Sequence, residues 1–150
     1  MSMQLPRQGI GREALFEDMR KRKEQDADWH GGRTFSLIYP VSDEVDGILA
    51  EANRLYMFEN ALNPFRFPSL RQMEVEVVSM TAGLLNAPED ADGCMTSGGT
   101  ESILMAVMAA RNRAREERGV TEPEMLAPVT AHPAFAKAAK YLGLRHRQIP

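Results

Sequence analysis

An α/β domain built on a mostly parallel sheet is the fold class this 150-residue sequence predicts, on three observations. Apolar residues recur at helical spacing in stretches separated by short extended runs, so a helix-rich opening is followed by strand, helix, strand, helix, strand. A glycine pair joins the short apolar stretch Cys94-Met95 directly to a strong helix-forming run, the order of elements such folds use. Only about three strands can be placed, few for a parallel sheet covered on both faces, and an edge beyond the third would leave apolar surface and backbone unpaired. The chain therefore reads as the front part of a larger fold.

The elements follow in order. Residues 1–12 form a loose, polar arm, and Glu13 to Asp28 a charged helix with few apolar positions (Leu15, Phe16, Met19). Trp29-His30-Gly31-Gly32-Arg33 marks a turn, and Thr34 to Tyr39 an extended run before Pro40. Ser42 is a helix N-cap, after which Val45, Ile48, Leu49, Ala52, Leu55 and Tyr56 repeat at helical spacing. Pro64 and Pro68 make Asn60 to Ser69 an ordered loop. Leu70, Met73, Val77, Met80 and Leu84 mark the next amphipathic helix, which ends near Asn86-Ala87-Pro88. A helix from the glycine pair to about Gly119 carries Arg111, Arg113, Arg115 and Arg118 in its tail, a solvated cluster that complements the helix dipole. Leu126 to Thr130 reads as a strand, Pro133 to Leu142 as a helix stopped by Gly143, and Leu144 to Ile149 as a further strand.

Composition excludes several function classes. Hydrophobic content of 43% and charged content of 26% are those of a soluble globular protein, and a net charge of -3 gives no electrostatic case for nucleic acid. No apolar run approaches the ~20 residues that span a bilayer, and the opening residues are neither a signal peptide nor an anchor. The single cysteine, Cys94, precludes an internal disulfide and suits a reducing cytoplasm; at the end of a buried strand it reads as a small core residue. No metal-ligand spacing is present.

The chemistry-bearing motif is Thr96-Ser97-Gly98-Gly99-Thr100-Glu101-Ser102, run straight into Ile103-Leu104-Met105. A tight glycine turn at a helix N-terminus presents several unpaired N–H groups, with the positive end of the helix dipole behind them, to a phosphate dianion. Gly98 and Gly99 allow close backbone approach, and the hydroxyls of Ser97 and Thr100 can cap the helix or donate to phosphate oxygens. Ordinary capping is an equally good physical account of the same residues. The P-loop pattern fails because Thr100 stands where Lys is needed, and the dinucleotide fingerprint lacks its spaced glycines. Glu101 in the first turn would repel a polyphosphate unless it points away, so a single phosphate held by backbone amides fits better.

The block Gly93–Val107, GCMTSGGTESILMAV, and the block Ala131–Pro150, AHPAFAKAAKYLGLRHRQIP, closely resemble the sphingosine phosphate lyase family. Those enzymes use pyridoxal 5'-phosphate and share the aspartate-aminotransferase fold (fold type I) with the group II amino-acid decarboxylases. Asn60-Ala61-Leu62-Asn63-Pro64, Phe67-Pro68-Ser69-Leu70-Arg71, Glu74 and Glu76-Val77-Val78 extend the resemblance, with a weaker match over Phe35 to Glu44. It covers roughly residues 33 to 150, about three quarters of the chain. Implied is the N-terminal portion of a bacterial-type, cytoplasmic member, since the animal enzymes carry a membrane anchor before this region. Residues 1–87 would be an arm and helical segment, and 88–150 the start of the cofactor-binding large domain.

By that resemblance, Gly99 and Thr100 hold the cofactor phosphate through their amides, with Ser97 and Gly98 shaping the turn. His132 stacks on the pyridine ring, although taken alone a histidine between Ala131 and Pro133 more often lies in a partly exposed loop. Tyr39 and Asn63 fall in segments that approach the substrate at a homodimer interface; some members have His where this chain has Asn63. The implied reaction cleaves a phosphorylated amino alcohol to an aldehyde and a phosphorylated amine. The family's Schiff-base lysine is expected beyond Pro150, and Lys21, Lys23, Lys137 and Lys140 read as solvated. The chain alone is thus expected to be inactive, with no catalytic residue of its own. The alternatives are a group II amino-acid decarboxylase and a non-catalytic remnant or binding fragment.

Overall fold

The computed structural model describes residues 7–32, 34–35 and 38–150. The chain divides into two compact units, Met1–Phe58 and Glu59–Pro150.

The first unit holds helices α1 (Arg12–Lys23) and α2 (Asp43–Leu55). Glu13 in the first turn of α1 and Arg20 to Lys23 in its last complement the helix dipole. The helix stops short of the expected Asp28: after Lys23 the chain tightens into turns, the Gln25 and Asp26 amides bonding to the Arg22 and Lys23 carbonyls at 3.2 and 3.0 Å. The Asp28 carboxylate accepts the Gly31 N–H at 3.1 Å, and its carbonyl accepts the Thr34 hydroxyl at 3.1 Å. Of the extended run expected at Thr34–Tyr39, Ser36 and Leu37 lie outside the described residues, as do Arg33 and residues 1–6; the remainder joins no strand. Ser42 is the N-cap of α2, its hydroxyl accepting the Val45 N–H at 3.3 Å.

The second unit runs α3 (Pro68–Leu84), α4 (Gly99–Arg118), β1 (Glu124–Pro128), α5 (Ala134–Leu142) and β2 (Arg145–Ile149). Pro68 opens α3, where its missing N–H costs nothing. The apolar stripe expected on α3 is only partly the covered one. Leu70, Glu74, Val78 and Ala82 are half-buried, whereas Met80 and Leu84 are exposed. The reason is local: the segment before α4 folds back on the Val78 side, where a Cβ on Gly93 would come within 3.1 Å of Val78 Cγ1. The Glu74 carboxylate accepts the Met95 N–H at 2.8 Å.

Cys94-Met95 is not a strand among the described residues, and Cys94 is exposed rather than a core residue. An extended segment becomes a strand only with a ladder partner, and the Met95 amide is taken by a side chain instead. The described sheet therefore has two strands. β1 and β2 pair in parallel from Glu124 opposite Arg145 to Pro128 opposite Ile149, and β1 begins and ends two residues earlier than expected.

The core of this unit is made of alanines. Ala114 of α4, Ala127 of β1 and Ala134, Ala138 and Ala139 of α5 are buried, as is Pro123 just before β1. Small side chains let α5 lie close on α4 and β2. Gly119 and Gly143 end α4 and α5 in the left-handed conformation, at φ 65° and 69°, which glycine adopts without a Cβ penalty.

Glu124 ties the register across the strands. Its carboxylate meets Arg147 Nε at 3.0 Å and Arg145 Nη1 at 2.8 Å. The Arg147 hydrogen bond, with the charges of Arg147 and Arg145, holds the carboxyl below its ordinary value despite partial desolvation. A carboxyl depressed in the folded state stabilises above its unfolded pKa, and that contribution fades as pH falls through the folded value. Glu124→Gln is therefore expected to weaken the β1–β2 pairing at pH 7 and to make no difference near pH 2, a contrast that β2 amide exchange across pH would measure.

Candidate functional site

The turn before α4 is built by side chains that bind its own backbone. Gly98 is the N-cap residue at φ 153°, ψ 176°, with no side chain capping the helix, so neither Ser97 nor Thr100 serves as the cap. This backbone conformation is essentially open to glycine alone. The Thr96 hydroxyl donates to the Gly98 carbonyl at 3.2 Å and lies 2.6 Å from the Ser102 hydroxyl. Ser102 also reaches the Gly98 carbonyl at 3.3 Å, and its amide closes the first helical bond there at 3.1 Å. The turn is thus held by its own hydrogen bonds.

Glu101 reaches backwards rather than into the turn. Its carboxylate accepts the Ser97 N–H at 2.7 Å and the Ser97 hydroxyl at 2.6 Å. The Ser97 hydroxyl first, and the Ser97 amide second, hold this carboxyl below its ordinary value. Ser97 is consequently spent on Glu101. What remains without a protein partner, among the described residues, is the set of amides of Gly98, Gly99, Thr100 and Glu101 and the Thr100 hydroxyl. A Cβ built on Gly98 or Gly99 meets no atom within 4 Å, so the space beside both α carbons is open. Four donors, a glycine-only backbone and the N-terminus of a 20-residue helix fit a phosphate monoester.

His132 lies in the connection from β1, one residue before Pro133, the N-cap of α5. It is exposed, and its Nδ1 accepts the Ala134 N–H at 3.1 Å. That bond fixes the ring against the start of α5 and leaves the proton of the neutral imidazole on Nε2. The topology sets the two helix starts at one edge. α5 crosses between parallel strands, so it runs against them and starts at their carboxyl ends. α4 leads into β1 through a short connection and flanks it, residues from Ala106 to Arg118 forming one wall of a groove with Pro123, Glu124 and Met125. It too starts at the carboxyl edge, the side where ligands bind in open α/β sheets.

Asn63 is exposed in the loop before α3, where its carbonyl accepts the Arg66 N–H at 3.0 Å. This loop and α3 form a groove of 330 Å³ with walls that include Asn60, Phe67, Arg71 and Glu74, but neither Asn63, the glycine turn nor His132 lines it. Tyr39 is 80% exposed within the first unit. Lys137 sits with its Nζ 5.5 Å from the Tyr141 ring centroid, a cation–π contact on the surface of α5.

Three residues that sequence reasoning left without these roles shape the site. Glu101 holds Ser97, a partnership signalled by a hydroxyl residue and a carboxylate spaced i, i+4 across the glycine pair. Glu74 holds Met95 from a helix, with no local signal. Arg111 is half-buried, not part of a solvated cluster: its Nη1 donates to the Leu142 carbonyl at 3.1 Å.

Fold and turn together define an α/β protein with a glycine turn and free amides opening its longest helix. The model of the pyridoxal-dependent decarboxylase conserved domain matches residues 2–150. Sphingosine-1-phosphate lyase 1 of Mus musculus is 41% identical over 141 residues, 94% of this chain and 25% of the mouse protein. A probable L-aspartate decarboxylase of Pyrococcus furiosus is 32% identical over 143 residues, 95% of this chain and 36% of that protein. The structure of the Burkholderia pseudomallei sphingosine-1-phosphate lyase superposes with a TM-score of 0.88 at 38% identity, covering 100% of this chain and 36% of that one.

The chain belongs to the pyridoxal-dependent decarboxylase family. It spans about a quarter of the length of the mouse relative. Among the described residues, no helix is long and apolar enough to cross a membrane.

Proposed function

We propose that this sequence is the N-terminal portion of a pyridoxal-phosphate-dependent carbon–carbon lyase that cleaves a phosphorylated amino alcohol to an aldehyde and a phosphorylated amine. The observation that carries the cofactor part is the set of four free amides at the start of α4 behind a glycine-only turn. The choice of lyase is supported by the higher identity to the mouse lyase than to the archaeal decarboxylase. Residues 88–150 then begin the cofactor-binding domain, and 1–87 form the arm and helical segment before it.

In this reading the amides of Gly99 and Thr100, with the Thr100 hydroxyl, hold the cofactor phosphate, while Ser97 and Gly98 keep the turn in shape. Glu101 keeps its charge on Ser97 and so leaves those donors free. His132 would stack on the cofactor ring and orient it without adding a nucleophile. Asn63 and Tyr39 contribute to substrate binding, with Asn63 offering a neutral amide where a titrating histidine would otherwise stand. Bound there, pyridoxal phosphate supplies an electron sink for the bond broken beside the amine-bearing carbon. That bond joins the amine-bearing and hydroxyl-bearing carbons; the hydroxyl proton leaves as the aldehyde forms, and a proton returns to the amine-bearing carbon. A cytoplasmic homodimer belongs to the same reading, supported by the lone cysteine and by the assembly typical of the resembled family.

The test is to load the full-length protein with pyridoxal phosphate and offer it a phosphorylated long-chain amino alcohol. Aldehyde and phosphorylated amine should appear together. Carbon dioxide release from an amino acid would establish the decarboxylase instead, and absence of both cofactor uptake and turnover would leave a binding fragment. His132→Ala should lower turnover and shift the cofactor's visible absorption while the fold persists; an unshifted spectrum would remove the stacking role.

A further inference from the structure

We propose that Arg111 is a positioning residue, which holds His132 level with the glycine turn by fastening the far end of α5 to α4. The inference rests on the reading of the turn and His132 as the cofactor site, and adds to it the element that sets their spacing.

α4 and α5 start at the same edge of the sheet and pack side by side. α5 has one polar fastening to α4 among the described residues, the bond from Arg111 Nη1 to the Leu142 carbonyl. Leu142 is the last residue of α5, where carbonyls lack helical partners. The guanidinium is itself aimed: Arg111 Nε and Nη2 both donate to Asn112 Oδ1, at 3.1 and 2.9 Å. A half-buried, oriented cation on a helix-end carbonyl is one of the stronger neutral–charged hydrogen bonds.

The distances along the helices match this role. From Gly99 to Arg111 α4 rises by about 18 Å, and from Ala134 to Leu142 α5 rises by about 12 Å. The bond fixes the far end of α5 against α4, so the start of α5 cannot slide along α4 without breaking it. Between the two ends, α5 meets its neighbours through Ala134, Ala138 and Ala139. Alanines pack closely, but their apolar contacts carry no directional bond. The arginine supplies the missing axial stop. His132 is bonded to Ala134, so any axial slip of α5 moves the imidazole relative to the amides of Gly99 and Thr100.

The experiment uses the full-length protein carrying Arg111→Met, Arg111→Lys or Arg113→Met, the last removing an exposed charge paired to Glu117 on the same helix. The probe is pyridoxal phosphate, read by its visible circular dichroism band and by its dissociation constant. Both are taken well below the melting temperature, where a purely stabilising contact would leave them unmoved. Arg111→Met is expected to lower the band by about half and weaken binding about three- to tenfold, the share of one charged hydrogen bond that reaches the ligand. Arg111→Lys, with one donor centre and no fork, should fall between it and the wild type, and Arg113→Met should match the wild type. An unchanged band and affinity in Arg111→Met overturns the proposal while leaving the cofactor site in place. If Arg111→Met does not fold, a wild-type band in Arg111→Lys overturns it equally. A wild-type protein that takes up no cofactor overturns the site assignment, and this proposal with it.

Discussion

Gly98→Ala in the full-length protein is expected to reduce pyridoxal phosphate affinity about ten- to hundredfold, the equivalent of the 1–3 kcal/mol cost of a side chain in this backbone conformation. Gly98 stands at φ 153° with open space beyond its α carbon, so the cost comes from the backbone alone. An alanine relaxes away from this φ, and the Thr96, Ser102 and Gly98 bonds that stitch the turn are lost with it. Gly99→Ala isolates the second effect. Gly99 is helical, and a Cβ there meets nothing within 4 Å, so the variant should melt like the wild type. A methyl group in the space above the free amides should nonetheless weaken the cofactor, because a phosphate would approach there. Equilibrium binding of pyridoxal phosphate to both single variants and to the double variant separates strain from crowding. Gly99→Ala with wild-type affinity would remove the phosphate from this turn.

Ala138→Leu is expected to cost about 1–3 kcal/mol of local stability, the usual penalty for overfilling a close-packed core. Ala138 is 0% exposed, flanked in the sequence by Ala139 at 2%. Its methyl group sets how closely α5 approaches its neighbours, and three further carbons have nowhere to go without pushing the helix off. Amide exchange in α5 and β2 would register the loss, since β2 follows α5 directly and packs against it. Lys140→Leu, on the exposed side of the same helix, should change exchange by less than about 0.5 kcal/mol. A difference of that small size for Ala138→Leu would mean that the alanine face is not tightly packed against its neighbours.

Elements whose signals are local are legible in the residues themselves. Ser42 as a cap, Pro68 near a helix start, and Gly119 and Gly143 as stops all act within a turn of helix, through bonds or backbone conformations that depend on a few neighbouring residues. The glycine turn belongs with them, since Gly98 is needed for its own φ and the amides it frees are its immediate successors. The boundaries of β1, by contrast, shifted by two residues because register is decided by the opposing strand: Glu124 faces Arg145 and is drawn into the ladder by the two arginines of β2.

The sequence by itself determined the class of fold, the cap of α2, the glycine stops of α4 and α5, and the glycine turn with its free backbone donors, because each is a property of residues a few positions apart. Only the tertiary structure decided which side chains serve the turn and which serve solvent. Cys94-Met95 joined no ladder because the Met95 amide found Glu74, 21 residues away, in place of a strand. Arg111 left the solvated cluster because the end of α5, 31 residues on, presented a bare carbonyl to it. A hydrogen bond between distant residues depends on where two helices come to lie, and that is set by packing, which local spacing does not encode.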